Sequence, residues 1–403
     1  MMFEKKLTQW ASVVRDQFNI PARLVLWGGQ EMNFGEFSDP LVTIKVNSSS
    51  VAPLLLNPTL ANLAEAYIKG KIDVEGTIAD IIKISYALAR SGAKHSGKLA
   101  RVANYFNHTK SSDRKSIQYH YDVSNDFYRL WLDENMVYSC AYFEYGDEDL
   151  ASAQIKKIDH ILTKIQLQAG HRLLDIGCGW GALVLRAAEK FGAQCVGVTL
   201  SQNQYDLATE RVKAAGLSDR IEIRLQDFRD VEGQFDRISS VGMFEHVGKA
   251  NLPNYFSRIR ELLTDDGIAM NHGITSTIIE EEDLLGGREF IDRYVFPNGE
   301  LPHISLALEA AQRGGLEAID IESLRRHYAR TLDIWTQNFE QRAAEILQLV
   351  GEEKFRIWRV YLAGCAYTFE HDDASIYQIV CRKAGRSSQE IPWSRHYMYK
   401  GND

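Results

Sequence analysis

Short apolar runs and helical stretches alternate along this chain, and the manner of alternation changes near residue 110. In the first hundred residues, 22–27 and 41–46 are apolar runs that predict strands, separated by a loop containing Gly28, Gly29 and Gly35. Asn57-Pro58-Thr59 opens a helical stretch in which Leu60, Leu63, Ala64 and Tyr67 share one apolar face. Residues 78–88 predict a second helix. From Ser91 to Lys115 the pattern gives way to polar and basic positions, with Lys94, Lys98, Arg101, Lys110, Arg114 and Lys115. A boundary near residue 110 divides the chain into residues 1–110 and 111–403.

Beyond it the elements become regular. Strands are predicted at 172–176, 194–199, 221–225, 235–241 and 267–272, with helices at 182–191, 202–215 and 252–263. This βαβαβ order, with crossovers long enough for helices, predicts an α/β fold: a doubly wound, mainly parallel sheet preceded by a smaller α/β domain. Residues 330–366 are strongly helical in pattern and rich in aromatics.

Composition narrows the class. With 403 residues, 45% hydrophobic and 25% charged, the chain can bury a sizeable core, which excludes global disorder. Its 54 acidic residues outnumber 46 basic ones, for a formal net charge of −8, so a nucleic-acid binder working through bulk charge is not expected. No apolar run approaches the roughly 20 residues needed to span a bilayer. The start, Met1-Met2-Phe3-Glu4-Lys5-Lys6, turns polar at once, unlike a secretory signal. A soluble, intracellular protein is expected. The five cysteines, Cys140, Cys178, Cys195, Cys365 and Cys381, are odd in number and lack C-x-x-C spacing, so no metal site is expected and a reducing compartment fits.

The strongest local motif is Leu173-Leu174-Asp175-Ile176-Gly177-Cys178-Gly179-Trp180-Gly181. Glycines at three alternate positions let the backbone turn tightly after a strand and pass close to a ligand. The dinucleotide fingerprint G-x-G-x-x-G sets its third glycine one position later and wants an acidic residue roughly 20 residues on. Here that region reads Gly197-Val198-Thr199-Leu200-Ser201, with no carboxylate, which argues against a nicotinamide or flavin. D-x-G-x-G-x-G after this strand resembles motif I of the S-adenosylmethionine (SAM) methyltransferases.

Further segments sharpen that resemblance: Tyr119 through Tyr128, Met136 through Phe143, Gly197 through Gln204, Phe235 through Gly248, and Ile291 through Pro302. In this order, across residues 111–385, they resemble the bacterial cyclopropane fatty acid synthases, relatives of the mycolic acid cyclopropane synthases. The resemblance implies transfer of a SAM methyl(ene) to the cis double bond of unsaturated acyl chains in membrane phospholipids, with S-adenosylhomocysteine (SAH) as product. It implies a cytoplasmic protein held peripherally at the inner face of the membrane, an N-terminal lipid-binding domain, and a homodimer. The basic stretch 94–115 would touch anionic head groups or serve as a solvated linker.

For the cofactor, the resemblance implies Tyr138 and Ser139 over the methionine part, and Asp175, Gly177, Cys178 and Gly179 at the glycine turn. Thr199, Ser201 and Gln204 would stand on the ribose side, and Asp227 and Phe228 around the adenine. An alkene is a neutral, poor nucleophile, so the sulfonium methyl must be held close with water excluded. Closing the ring then needs a proton acceptor, which in this family is a bound bicarbonate. Its implied ligands are Cys140, Glu245, His272, Ile274 through its backbone, and Tyr328. Aromatic neighbours Tyr121, Tyr142, Phe143 and Phe244 would either stabilise the developing cation or simply fill the core. Plain structural roles stay open: a buried thiol for Cys140, an ion pair for Glu245, a satisfied core histidine for His272, core packing for Phe228. Two other functions also remain, an acyl-chain methyltransferase that leaves a methyl or methylene branch, and an inactive lipid-binding protein.

Overall fold

The computed structural model describes residues 2–93, 123–279, 285–297, 299–386 and 391–399. The basic stretch 94–115 and Tyr119 to Asp122, Tyr121 among them, lie outside the described residues. The chain forms two compact units. One gathers Met1–Tyr105, Glu280–Pro297 and Phe339–Tyr367; the other gathers Phe106–Ile279, Asn298–Asn338 and Thr368–Asp403. The first unit therefore recruits two segments from far beyond residue 110.

That unit contains the strands β1 (Ala22–Val25), β2 (Glu31–Asn33), β3 (Val42–Val46) and β4 (Ile72–Glu75), which form one sheet in the order β2-β1-β3-β4. β1 and β3 run parallel and the outer pairs antiparallel. Thr59 caps the helix Leu60–Ile68 by accepting from Asn62 N at 3.2 Å, as the Asn-Pro-Thr signal predicts. Leu24, Ile44, Val46, Leu55, Ile81 and Leu88 build its core, and Val360, from one of the late segments, packs against them. A cut at residue 110 would strip Val360 of that core.

The second unit contains β5 (Arg172–Ile176), β6 (Gln194–Thr199), β7 (Ile221–Leu225), β8 (Phe235–Val241), β9 (Leu263–Ser276), β10 (Leu316–Ser323) and β11 (Ala374–Lys383). They form a seven-stranded sheet in the order β10-β11-β9-β8-β5-β6-β7. β9-β8-β5-β6-β7 are parallel, and β11 runs antiparallel to both β9 and β10. Leu173, Leu174, Ile176, Cys195 and Val198 are buried, as expected of central strands covered on both faces. β5 to β7 step outward in one direction, and β8 and β9 then fill the opposite side of β5. Such a reversal opens a crevice at the carboxyl ends of the strands.

One close approach fixes the packing on β9 near the end of β8. A Cβ at Gly273, within β9, would lie 2.1 Å from the ring of Phe244, which belongs to the buried core beneath β8 and β9. The Phe244 ring thus occupies the space a side chain would need. Gly273→Ala should lower stability by about 1–3 kcal/mol through overpacking, read as a fall in the urea midpoint; an unchanged midpoint would mean that Phe244 moves aside freely.

Candidate functional site

The carboxyl ends of β5, β6, β7 and β8 enclose a cavity of about 540 Å³, a volume suited to a small-molecule ligand. β5 ends in the glycine turn, where Gly177 and Gly179 have φ of +77° and +54°, values that L side chains rarely adopt. The N–H groups of Gly177 and Cys178 both donate to Val198 O, at 2.9 and 3.0 Å, and fold the turn onto β6. A Cβ at Gly179 would meet no protein atom within 4 Å, because the space beside it is cavity. Asp175 also lines the cavity. It accepts from Ser239 Oγ at 2.7 Å, and burial pushes its carboxyl up to about 6 against that bond and the charge of Lys157.

At the end of β6, Thr199 Oγ1 donates to Gln204 Oε1 at 2.8 Å and accepts from Ser201 N at 3.2 Å. Thr199 and Gln204 both line the cavity, and the Gln204 NH2 keeps its donors for a ligand there. Ser201 stands apart from the lining. Its hydroxyl accepts from Gln204 N and caps the helix Gln202–Ala214, so it shapes the loop. After β7, Asp227 and Phe228 line the cavity. Arg229 clamps the Asp227 carboxylate at 2.7–2.9 Å, and Phe228 meets Tyr255 edge-on at 5.5 Å. On the opposite side, Tyr138 lies in a cluster with Tyr128, Trp131 and Trp335, ring centres 5.3–5.6 Å apart.

The implied anion ligands fall into two groups. Glu245 follows β8 on the short turn Phe244–His246 and is only 8% exposed. Its Oε1 accepts from Ile274 N at 2.6 Å, while Oε2 is buried without a partner among the described residues. Burial pushes this carboxyl up to about 7, against the opposing effect of the Ile274 N–H. His272 lies two residues earlier on β9, so it faces the same side of the strand as Ile274. It is fully buried, and burial holds its ring well below the usual histidine range. Gln378 Nε2 donates to His272 Nδ1 at 3.1 Å, which leaves the ring proton on Nε2, an atom without a partner among the described residues.

Cys140 and Tyr328 form the second group, at the start of the helix Arg325–Gln341. Cys140 Sγ donates to Ala141 O at 3.2 Å, and burial pushes the thiol up, so it is a neutral, weak donor. Ala141 N donates to Thr331 Oγ1 at 3.1 Å. Tyr328 packs against Phe369 at 4.6 Å and Trp335 at 6.1 Å, which joins it to the aromatic cluster around Tyr138. The two groups communicate through the sheet: Leu324 N donates to Ile376 O, and Ile376 pairs with Ile274. Of the other aromatics, Tyr142 stacks between His160 at 4.3 Å and His327 at 4.9 Å, and Phe143 N donates to His327 Nδ1 at 3.0 Å.

Sequence reasoning passed over several cavity residues, among them Lys157, Gln226, Met243 and Arg258. Lys157 had a detectable signal. It shares the buried face of the helix Leu150–Lys164 with Ala153, Ile158 and Ile161, a position where a charge is unexpected.

The sequence profile of the family described as mycolic acid cyclopropane synthetase matches residues 108–379. The chain belongs to this family. A domain family of unknown function matches residues 9–97 of this cyclopropane synthetase-family chain. A probable fatty acid methyltransferase of Pseudomonas putida is 43% identical over 386 residues, 95% of this chain and 97% of that one. Cyclopropane mycolic acid synthase 1 of Mycobacterium tuberculosis is 38% identical over 277 residues, 66% of this chain and 96% of that one. Among solved structures, the mycolic acid cyclopropane synthase CmaA1 with SAH and CTAB is similar with a TM-score of 0.65 and 37% identity, covering 67% of this chain and 98% of that one. The fold of the larger unit is that of the SAM-dependent methyltransferases.

Two outcomes follow for this synthetase-family site. Gly179→Val puts a branched side chain into the cavity at a left-handed φ, so SAH binding measured by calorimetry should be lost in a protein that keeps its circular dichroism spectrum. Retained SAH affinity in that folded variant would remove the glycine turn from the binding surface. Glu245 bears on stability instead. Its folded-state pKa of about 7 lies above its ordinary value near 4.5, so the folded protein holds the extra proton between these values and loses stability as pH rises through that window. The wild-type Tm should fall between pH 4.5 and 7 more steeply than that of Glu245→Gln. Equal slopes would mean that Glu245 does not titrate there.

Proposed function

We propose that this protein transfers the methyl group of SAM to the cis double bond of unsaturated acyl chains in membrane phospholipids and closes a cyclopropane ring. The observation that carries this reading is that Glu245 Oε2 and His272 Nε2, each on a residue at the carboxyl end of β8 or on β9, are buried without a hydrogen-bond partner among the described residues. Addition of the SAM methyl to an alkene leaves a carbocation, so closing the ring needs a proton taken from the transferred carbon, as forming a methylene branch also does, and a place for whatever accepts it.

That pair offers one acceptor and one donor, which suits an anion carrying its own proton, and bicarbonate is such an anion. Glu245 and His272 would hold it, with Cys140 and Tyr328 contributing from the second group. Ile274, whose backbone is among the implied ligands, donates its N–H to Glu245 Oε1 and so holds that carboxylate in place. Bound there, bicarbonate supplies a proton acceptor that a methylating reagent cannot permanently damage. The protein's own groups do the remaining work. The glycine turn, Thr199 and Gln204 seat the cofactor, and Tyr138, backed by the buried Trp131 and Trp335, would exclude water and present an aromatic face to a developing cation. The smaller unit is proposed to engage lipid and to support a homodimer at the inner membrane face. No helix of the described residues is long and apolar enough to cross a bilayer.

A methyl or methylene branch is the second reading, favoured by the relative named for fatty acid methyl transfer. Incubation with SAM and vesicles of cis-unsaturated phospholipid decides between them. Acyl chains should gain one CH2 and resist oxidative cleavage by permanganate, as a ring does and a methylene branch does not. Glu245→Gln should keep SAH affinity while turnover falls about 10²-fold, the scale of a mispositioned acid–base group. Turnover near that of the wild type would remove Glu245 from the reaction, and cleavable products would replace the ring with a branch.

A further inference from the structure

Lys157 is 2% exposed yet lines the cavity, and its Nζ donates to Ser139 Oγ at 2.8 Å. Among the described residues no carboxylate lies within ion-pair distance of this ammonium. The acidic groups nearest to it in effect are engaged elsewhere: Asp133 accepts from Asn135 N and Val137 N, at 3.0 and 2.8 Å, and Asp175 accepts from Ser239. An ammonium taken out of water without a counter-charge is expensive, and the cost is relieved when a ligand brings an anion. The surroundings are arranged for one. Because Ser139 Oγ accepts from Lys157, its own proton remains to be donated, so Lys157 and Ser139 both offer donors. Gln154 Nε2 donates to Val137 O and Ser139 O, at 3.2 and 2.8 Å, and pins this stretch to the same helix.

We propose that the Lys157 ammonium joins the Ser139 hydroxyl, which the family resemblance already implies over the methionine part, in seating the α-carboxylate of the methyl donor, which makes Lys157 a binding residue of this site. The proposal rests on reading the cavity as the SAM site. It identifies the charge that offsets the only carboxylate the donor carries, while the sulfonium, itself a cation, is left to the aromatic side of the cavity. The same anion chemistry has a second source, bicarbonate, because the Lys157 charge also acts on Cys140 and His272.

Calorimetry on the full chain with two probes tests this. SAH carries the carboxylate; 5′-methylthioadenosine keeps the adenosine and thioether but lacks the amino-acid part. Lys157→Met should weaken SAH about tenfold or more, the loss expected for a charge-assisted hydrogen bond, and leave methylthioadenosine unchanged. Ser139→Ala should show the same selectivity at smaller size and serves if Lys157→Met does not fold. Burial draws the free ammonium down to about 8, against the opposing pull of Cys140, Asp133 and Asp175. Wild-type SAH affinity should therefore fall as pH rises above about 8, and this step should vanish in Lys157→Met. Equal loss for both probes would make Lys157 a structural residue and overturn the proposal. Unchanged SAH affinity with a raised bicarbonate requirement for turnover would overturn it in favour of the other anion. A wild-type protein that binds neither probe would instead overturn the SAM reading of the cavity.

Discussion

The position of β5 between β6 and β8 is the constraint on which the rest of the site depends. Parallel strands joined by right-handed crossovers cannot continue in one direction and also return, so the order must reverse somewhere. Here it reverses at β5, and the helices that follow β5 and β8 are forced to opposite faces. The space between them becomes the cavity, and the residues just past each strand end become its lining. Gly177 and Gly179 answer that geometry at β5. Gly273 answers it at β9, by letting Phe244 sit flat against the strand so that the next residue, Glu245, reaches Ile274 N. A change at Gly177 or Gly273 therefore acts on the site through the position of the backbone.

Much of this was legible because central parallel strands leave little choice. Residues 194–199 form the central strand β6, 221–225 alternate apolar and charged positions along the edge strand β7, and 235–241 begin and end on apolar residues in β8; each strand has the bounds the sequence predicts. The antiparallel edge was illegible. β10 carries Glu317, Asp320 and Glu322, and β11 places Ser375 and Gln378 at buried positions, so neither shows the alternation that announces a strand. β9 extends past His272 to Ser276 because β11 pairs with it there, which its own residues do not reveal. The first unit was misleading in another way: a boundary near residue 110 marks a change of pattern, but contacts at long sequence separation carry 280–297 and 339–367 back across it.

Within the site, motifs marked Glu245 and His272, whereas burial and partners distinguish residues that look alike in sequence. Lys156 and Lys157 are adjacent lysines on one helix. The rotation of about 100° between successive helix positions sends Lys156 to Glu144 and Glu148 at 2.8 and 3.0 Å, and Lys157 into the interior with a serine for company. The resemblance implies Ser201 on the ribose side and Ser139 over the methionine part; in the fold the Ser201 hydroxyl accepts from Gln204 N as a helix cap, and Ser139 accepts from a buried ammonium.

The separation of the two buried charges is itself informative. Among the described residues, Lys157 and Glu245 each remain without an ionic partner, and an ion pair between them would relieve both costs at once. The fold denies them that pair by placing Lys157 on the helix before β5 and Glu245 on the turn after β8, where the Ile274 N–H holds it. Such an arrangement lowers the stability of the empty protein, a cost that a ligand bringing compensating charge would offset. On the proposed reading, a donor with a cationic sulfur and a carboxylate several bonds away would be met by this division, with positive charge where the carboxylate would rest. A collapsed Lys157–Glu245 pair would relieve both costs but would leave neither the anion seat proposed for Lys157 nor the place proposed for the proton acceptor.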